Sequence, residues 1–374
     1  MSIVWIAILV SVAYVCLITN IFIQWTKMPF VVAENNTNPK QASIIIAARN
    51  ESKCIRSCIE RILENELSGS NIEIIIIDDQ STDDTFEIVE NIQSDLVSIH
   101  RLPDGKIGKK NAISYGVSKA KYPIILCTDA DCLVGKFWIA SHLQAYNDSS
   151  VQMATSIVMP VNKKSILGNF QSFDFAATMV ITAVGIQTKK LYLANGANMS
   201  FYRDTFLRLN VYQENKHLAS GDDIFLIKHV AKEYPNGVRF IKSKDSVVKT
   251  LPEISWTELV IQRIRWASKS LDVKSNSIMS LQGFIFLYTA FIGCLFLMYF
   301  YDGTAFYSYA IAGLVITKYI TDYIFLKSVS RTFDPTISMK YFPFCFLLYF
   351  IHILGSGLTA LFPYKYIWKG RTVR

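Results

Sequence analysis

Charge is scarce in this chain and unevenly placed. Asp, Glu, Lys and Arg make up 18% of the 374 residues, against 51% hydrophobic ones. So small a share argues against an ordinary soluble protein of this length. Residues 1–26 hold no charged side chain, no basic leader and no small-residue cleavage site. A removed signal peptide is therefore disfavoured, and an anchor long enough to span a bilayer is favoured. Zinc-type C-x-x-C pairs are missing, and seven cysteines are an odd number for a closed disulfide framework. Cys54 and Cys58 stand one helical turn apart, Cys127 and Cys132 flank an acid pair, and the thiols read as reduced and packed. The five histidines, His100, His142, His217, His229 and His352, show no ligand spacing, which removes a histidine metal or catalytic centre.

The cations that are present flank apolar runs. A net charge of +8 placed in this way suits an anionic membrane surface and not a nucleic acid. Lys27 follows the first run, which puts the amino terminus outside and the next domain in the cytoplasm. Residues 275–301 and 304–326 read as further spans, the second with Lys318 and Asp322 at pairing distance on a helix. Residues 341–364 form another uncharged stretch. The loop before it carries Lys327, Arg331 and Lys340, and the tail after it carries Lys365, Lys369, Arg371 and Arg374. A single crossing would separate two basic segments that both read as cytoplasmic, so two readings stand, a span or a re-entrant path allowed by Gly355 and Gly357.

Between the first and later runs the pattern is different. Short β-branched runs at 43–48, 74–77, 97–101 and 124–128 alternate with helical periodicity at 55–63 and 108–119. Ser81, Thr82, Asp83 and Asp84 predict a helix start with a hydroxyl cap. Such alternation predicts a parallel sheet with helices on both faces. Residues 162–188 contain Phe170, Phe173 and Phe175 and then an uncharged stretch. They read as a helix at the membrane surface or over an acceptor entrance, with a buried core helix as the equal alternative. Residues 224–234 and 256–270 predict two more helices, the latter amphipathic.

Chemistry concentrates where the strands end. The first closes in Ala47-Ala48-Arg49-Asn50-Glu51, the second in Asp78-Asp79-Gln80-Ser81 and the fourth in Asp129-Ala130-Asp131. In an open α/β sheet these ends share one crevice. Two acids spaced by one small residue offer hard oxygen donors to Mg²⁺ or Mn²⁺ carrying a diphosphate. Asp78 or Asp79 suits a base or ribose. Gly221-Asp222-Asp223 opens a helix, and Gln262-Arg263-Ile264-Arg265-Trp266 precedes the later spans.

In this order the features resemble the family 2 glycosyltransferases of the GT-A fold. The resemblance is to the membrane-embedded branch with ceramide glucosyltransferases, cellulose synthases and hyaluronan synthases. It covers residues 43–266 and the membrane layout, and its specific mark is Gln262-x-x-Arg265-Trp266 downstream of the D-x-D and acid pair. Gly108-Lys109-Lys110-Asn111-Ala112 resembles the Gly-Lys segment near the nucleotide, and Asn195-Gly196-Ala197-Asn198 the acceptor-side loop. The resemblance implies a Rossmann-like mixed α/β sheet plus transmembrane helices. It implies nucleotide-sugar contacts at Ala48, Asn50, Glu51, Asp78, Asp79, Lys109 and Asp129, with Asp79 on the uridine. Asp131 and Asp129 would hold Mg²⁺ or Mn²⁺, and Asp223, beside Asp222, would be the general base. Gln262, Arg265 and Trp266 would clamp the diphosphate and acceptor. The pair Asp222-Asp223 departs from the usual Glu-Asp, which leaves the identity of the base in question.

The expected layout is an anchor at 1–26, a linker at 27–41 and a cytoplasmic GT-A domain with an interfacial helix at 42–274. Spanning or re-entrant helices follow at 275–364, and a basic tail at 365–374. The expected activity is inverting transfer from a nucleotide-sugar, of the UDP type, to a lipid acceptor at the surface of a cell (inner or plasma) membrane. The alternative in the same class is a processive β-polysaccharide synthase acting on a glycan. The alternative from another class is an inactive scaffold.

Overall fold

The computed structural model describes residues 2–32, 40–67, 69–212, 221–272, 276–360, 366–368 and 371–373. After helix α1 (Ser2–Lys27) come β1 (Gln41–Ala48), α2 (Ile55–Leu63), β2 (Asn71–Asp78), α3 (Thr85–Glu90), β3 (Val97–Arg101), α4 (Lys109–Lys119) and β4 (Ile124–Asp129). The second stretch holds β5 (Cys132–Leu133), α5 (Trp138–Ala145), β6 (Met153–Ser156), β7 (Val158–Pro160), α6 (Ile166–Gln187), β8 (Met199–Tyr202), α7 (Arg203–Leu209), α8 (Asp222–Glu233), β9 (Val238–Ile241) and β10 (Val248–Thr250). The last comprises α9 (Trp256–Asp272), α10 (Asn276–Asp302), α11 (Ala305–Phe333), α12 (Phe342–Ala360), β11 (Tyr366–Trp368) and β12 (Arg371–Val373). The chain divides into two compact units. Residues 1–28, 162–184 and 252–364 form a helical unit, and residues 29–161, 185–251 and 365–374 form a sheet unit.

The sheet unit is built on seven strands in the order β3-β2-β1-β4-β8-β6-β9. β1 pairs in parallel with β2 and β4. Their isoleucine runs lack polar alternation because a central parallel strand is covered on both faces. Ile44, Ile45, Ile46, Ile74, Ile75, Ile76 and Ile77 are each 0–1% exposed. Burial of each such side chain is worth roughly 1.5–3 kcal/mol. Helix α4 lies close on this sheet because position 116 is glycine, where a Cβ would stand 2.6 Å from Ile45 Cγ2. Beyond β4 the direction changes, since β8 pairs antiparallel with both β4 and β6. A second sheet, β5-β10-β7, begins three residues after Asp129.

In the helical unit, α1 packs on α11 and α11 on α10. Ala7, Tyr14, Tyr288, Ile292, Leu295, Ala310 and Leu314 fill the space between them. Among the described residues, four segments are long and apolar enough to cross a membrane, Ile3–Lys27, Ser280–Asp302, Ala305–Ser330 and Met339–Thr359. Lys318 and Asp322 pair as their spacing predicts, Nζ to Oδ2 at 2.6 Å. Tyr14 completes the group, donating to Asp322 Oδ1 at 2.5 Å and accepting from Lys318 Nζ at 2.7 Å.

The α/β domain with membrane helices is the architecture expected, but several details differ. Residues 162–184 and 252–274, placed with the catalytic domain by sequence, group with the apolar helices. Of the two readings for residues 162–188, the buried one is observed, since Phe170, Phe173, Phe175, Ala176, Met179, Val180 and Ala183 are all buried. α12 runs unbroken through Gly355 and Gly357. The basic tail contains a strand pair, with Tyr366 opposite Val373. α3 starts at Thr85 with no side-chain cap. The hydroxyls expected to cap it serve the neighbouring loop instead, as described next.

Candidate active site

Register brings the strand ends into one row. Asp78 lies opposite Ala48, and Asp129 opposite Ala47. The first two loops beyond this row are tied together. Arg49 Nη1 donates to the carbonyls of Asp79 and Gln80 at 2.6 and 2.8 Å. Asn50, at a φ of 53° that asparagine tolerates better than most residues, accepts from Thr82 N at 2.8 Å and donates its own N–H to Ser81 Oγ at 3.0 Å. Glu51 N donates to Thr85 Oγ1, and Ser52 N to Asp83 Oδ2. Asp83 loses some solvation, but hydrogen bonds from Thr85 and Ser52 more than offset this and bring its pKa down to about 2. Ala48, Asn50 and Glu51, read as nucleotide-sugar contacts, thus spend backbone or side-chain groups on this bracing. Asp78 does likewise, its carboxylate accepting from Ser81 N at 3.2 Å.

A continuous set of contacts leads from there to the other acids. Both oxygens of Asp79 accept from Gly108 N at 3.1 Å, fixing the residue before α4 at a φ of +91°. The next side chain, Lys109, reaches Asp129 Oδ1 at 2.6 Å and Asp222 Oδ2 at 3.5 Å. Burial alone would discharge this ammonium, but Asp129 and then Asp222 outweigh it and hold its pKa well above the usual lysine value. Gly196 backs the pair. A Cβ there would stand 2.8 Å from Lys109 Nζ and 3.0 Å from Asp222 Oδ2. Gly196 N also donates to Asp223 Oδ2 at 3.1 Å. Asp222 is 4% exposed, whereas Asp223 is only partly covered, and both lie in the first turn of α8 after Gly221 at a φ of +90°. The two acids are therefore distinct, one committed to Lys109 and one half-open.

Asp129, Asp131 and Cys132 present ligand atoms within 4.8 Å of one another. Two partly exposed carboxylates are the donors a hard divalent cation prefers, so the residues fit Mg²⁺ or Mn²⁺. The Cys132 thiol is a poorer candidate. Burial, then Asp129 and Asp131, push its pKa well up.

The Asn195–Asn198 loop divides in function. Gly196 belongs to the crevice. Asn198 is fully buried and donates to the carbonyls of Ile157 and Ser246 while accepting from Trp138 Nε1. It is an interior hub and not an acceptor contact.

Gln262, Arg265 and Trp266 lie in the helical unit, on α9. Gln262 Nε2 donates to Glu253 Oε1 at 2.6 Å, and Arg265 is half-buried. Trp266 meets Phe175 edge-on and carries the Arg263 guanidinium 4.1 Å from its ring. Arg263, to which no role was assigned, makes the more buried contact, with Asp174 at 2.7 Å. Asp174 is the one charge in α6, and a lone acid in an apolar helix is a signal that a partner is needed. Arg49 carries no such signal, because its partners are backbone carbonyls.

Residues 43–210 match the family described as glycosyl transferase family 2. Over 138 residues, 36% of this chain, the sequence is 30% identical to poly-beta-1,6-N-acetyl-D-glucosamine synthase of Staphylococcus aureus strain COL, and covers 32% of it. The synthase of that name from Staphylococcus epidermidis strain ATCC 35984 is 29% identical over 140 residues, with 36% of this chain and 32% of the relative covered. The chain thus spans about a third of the length of these curated relatives. Mannosyltransferase PcManGT from Pyrobaculum calidifontis, solved with GDP-Man and Mn²⁺, shares the fold at 16% identity. It superposes with a TM-score of 0.58 over 96% of this chain and 97% of its own. Residues 43–210, somewhat under half of the chain, thus carry the likeness to the family 2 glycosyltransferases, and shape over nearly the whole chain carries a likeness of fold alone.

Proposed function

We propose that the chain transfers a sugar from a nucleoside diphosphate sugar to an acceptor hydroxyl with inversion at the anomeric carbon, and that it builds a β-linked amino-sugar polymer. The observation that carries the transferase reading is the contact path from Asp79 through Gly108 and Lys109 to Asp129, Asp222 and Asp223. It supports the reading because it gathers into one crevice the residues we assign to the nucleoside, to the diphosphate and to proton removal. Asp79 and the braced loops receive the uridine, the nucleoside we favour for the donor. Asp131 and Asp129 hold Mg²⁺ or Mn²⁺, which supplies charge neutralisation to the diphosphate when bound. Asp223 takes the acceptor proton. Its two oxygens are oriented by Gly196 N and Ile224 N, and it is the less covered of the pair. The acceptor oxygen then bonds to C1 as the bond from C1 to the diphosphate oxygen breaks, and the electron pair leaves with the nucleotide. Attack opposite the leaving group turns an α donor into a β product. Lys109, one residue from Asp79's anchor, can follow the charge that grows on the leaving oxygen. Gln262, Arg265 and Trp266 are proposed as the clamp on the acceptor side.

The polymer reading is supported by the two staphylococcal relatives, both poly-beta-1,6-N-acetyl-D-glucosamine synthases. A second reading, single transfer to a lipid, is favoured by the filled core of α1, α10 and α11, where Tyr288 and Leu314 are at most 2% exposed. The four apolar segments make this a membrane protein. We place the catalytic domain in the cytoplasm, at a cell membrane, on the strength of Lys27 at the end of α1.

The test is incubation of the full chain in lipid with radiolabelled nucleotide sugars, Mg²⁺ or Mn²⁺, and candidate acceptors, with products identified by mass. A ladder from UDP-N-acetylhexosamine supports the polymer reading, and a single lipid adduct replaces it with the second. Absence of transfer and hydrolysis with every donor, together with an Asp223→Asn variant of unchanged phenotype, would establish the scaffold.

A further inference from the structure

Lys109 is in contact with the same carboxylate that a divalent cation would use. Its Nζ stands 2.6 Å from Asp129 Oδ1, and Asp129, Asp131 and Cys132 converge within 4.8 Å. A second contact at 3.5 Å ties the ammonium to Asp222 in α8. The close fit of Gly196 against Nζ leaves no room for a larger residue behind it. The side chain is thus held from two sides at the junction of the D-x-D strand end and the acid pair.

We propose that Lys109 is a resident counter-ion that competes with the divalent cation for Asp129, so that cation affinity depends on the donor diphosphate. Resting on the donor-site reading above, the argument is electrostatic. A divalent ion at Asp129 and Asp131 meets a positive charge already bonded to one of its ligands, and like charges at this separation repel strongly. A diphosphate gives the ammonium another anion to bind. Lys109 then releases Asp129, and the cation gains both the carboxylate and the phosphate oxygens. Cation and nucleotide therefore bind as mutually supporting ligands, each raising the affinity of the other by the same factor. Asp222, whose side chain is nearly closed off, has its place in this scheme as the second tether of Lys109 and not as the proton acceptor.

The experiment measures Mn²⁺ binding to the full chain in lipid, from the magnetic resonance signal of free Mn²⁺, with and without uridine diphosphate. Wild type is compared with Lys109→Met, Lys109→Gln and Lys109→Arg. Without nucleotide, the Met and Gln variants should bind Mn²⁺ roughly tenfold or more tighter than wild type, and uridine diphosphate should improve their affinity much less. Lys109→Arg, which keeps the charge, should behave like wild type. Unchanged or weaker Mn²⁺ binding in both neutral variants would overturn the proposal and make Lys109 an ordinary support for Asp129. The Gln variant can still bond Asp129 and stands in if the Met variant does not fold. A wild type that binds Mn²⁺ neither with nor without uridine diphosphate would instead sink the donor-site reading itself.

Discussion

Lys109 and Lys318 both hold an aspartate at 2.6 Å, yet the two clusters differ in their charge arithmetic. In the helical unit one ammonium meets one carboxylate, and Tyr14 bonds to both. The group is balanced and Lys318 is 2% exposed. In the sheet unit one ammonium faces Asp129 and Asp222, with Asp131 and Asp223 close behind. Asp129, Asp131 and Asp223 stay partly exposed there, so the crevice is partly open. A closed, neutral cluster holds helices in register, whereas an open, acid-rich one is suited to cations and protons. The same residue types therefore serve structure in one unit and, under the proposed function, chemistry in the other.

The contrast can be broken from either side. The largest effect is expected from Asp223→Asn, which keeps the contact to Gly196 but removes the proton acceptor. Turnover should fall by about 10²–10⁴-fold with little change in donor binding, measured by steady-state kinetics. A fall confined to donor affinity would move the base elsewhere. Next comes Lys318→Met, which leaves the partly buried Asp322 without its cation. A loss on the order of 3 kcal/mol is expected in detergent unfolding, while the triple change Tyr14→Phe, Lys318→Met and Asp322→Leu should recover most of it. If the triple variant were no better than the single one, the cluster would be more than a structural pair.

A smaller loss should follow from Asn198→Leu. It strips partners from Trp138 Nε1 and from the carbonyls of Ile157 and Ser246, for about 2–3 kcal/mol. Chemical denaturation should register this with the acid cluster unchanged in sequence. The smallest effect concerns His142. Its Nε2 faces Asn198 Oδ1 at 2.8 Å and its Nδ1 faces Ser200 Oγ at 2.8 Å, and burial lowers its pKa to about 4. The unfolded chain, with an ordinary histidine near 6.5, binds more protons between these values. Stability should therefore fall as pH drops from about 6.5 towards 4, and His142→Gln should flatten that limb of the curve.

Strand ends and apolar spans were legible because their signals are local. The isoleucine runs of β1 and β2, the acids that close β2 and β4, and the pairing distance of Lys318 and Asp322 all follow from periodicity. What escaped notice depends on contacts distant in sequence. Arg49 bonds carbonyls 30 and 31 residues away, and those acceptors carry no side-chain signature. Arg263 finds Asp174 on another helix. Asn198 stood beside Gly196 in a loop that read as one functional piece, yet folding sends one residue to the interior and the other to the crevice. Asp222 and Asp223 could not be ranked from sequence because their difference lies in burial alone.

The reversal of strand direction between β4 and β8 has a consequence for how the molecule can be taken apart. To one side stands a parallel half, β1 to β4, with the loops proposed to grip the nucleotide. To the other stand β8, β6 and β9, together with the loop that orients Asp223. Within the main sheet they meet along four residue pairs of antiparallel ladder, from Ile124–Tyr202 to Cys127–Met199. A chimaera cut at this ladder would separate the proposed donor grip from the proposed proton acceptor, so that each could be exchanged without the other.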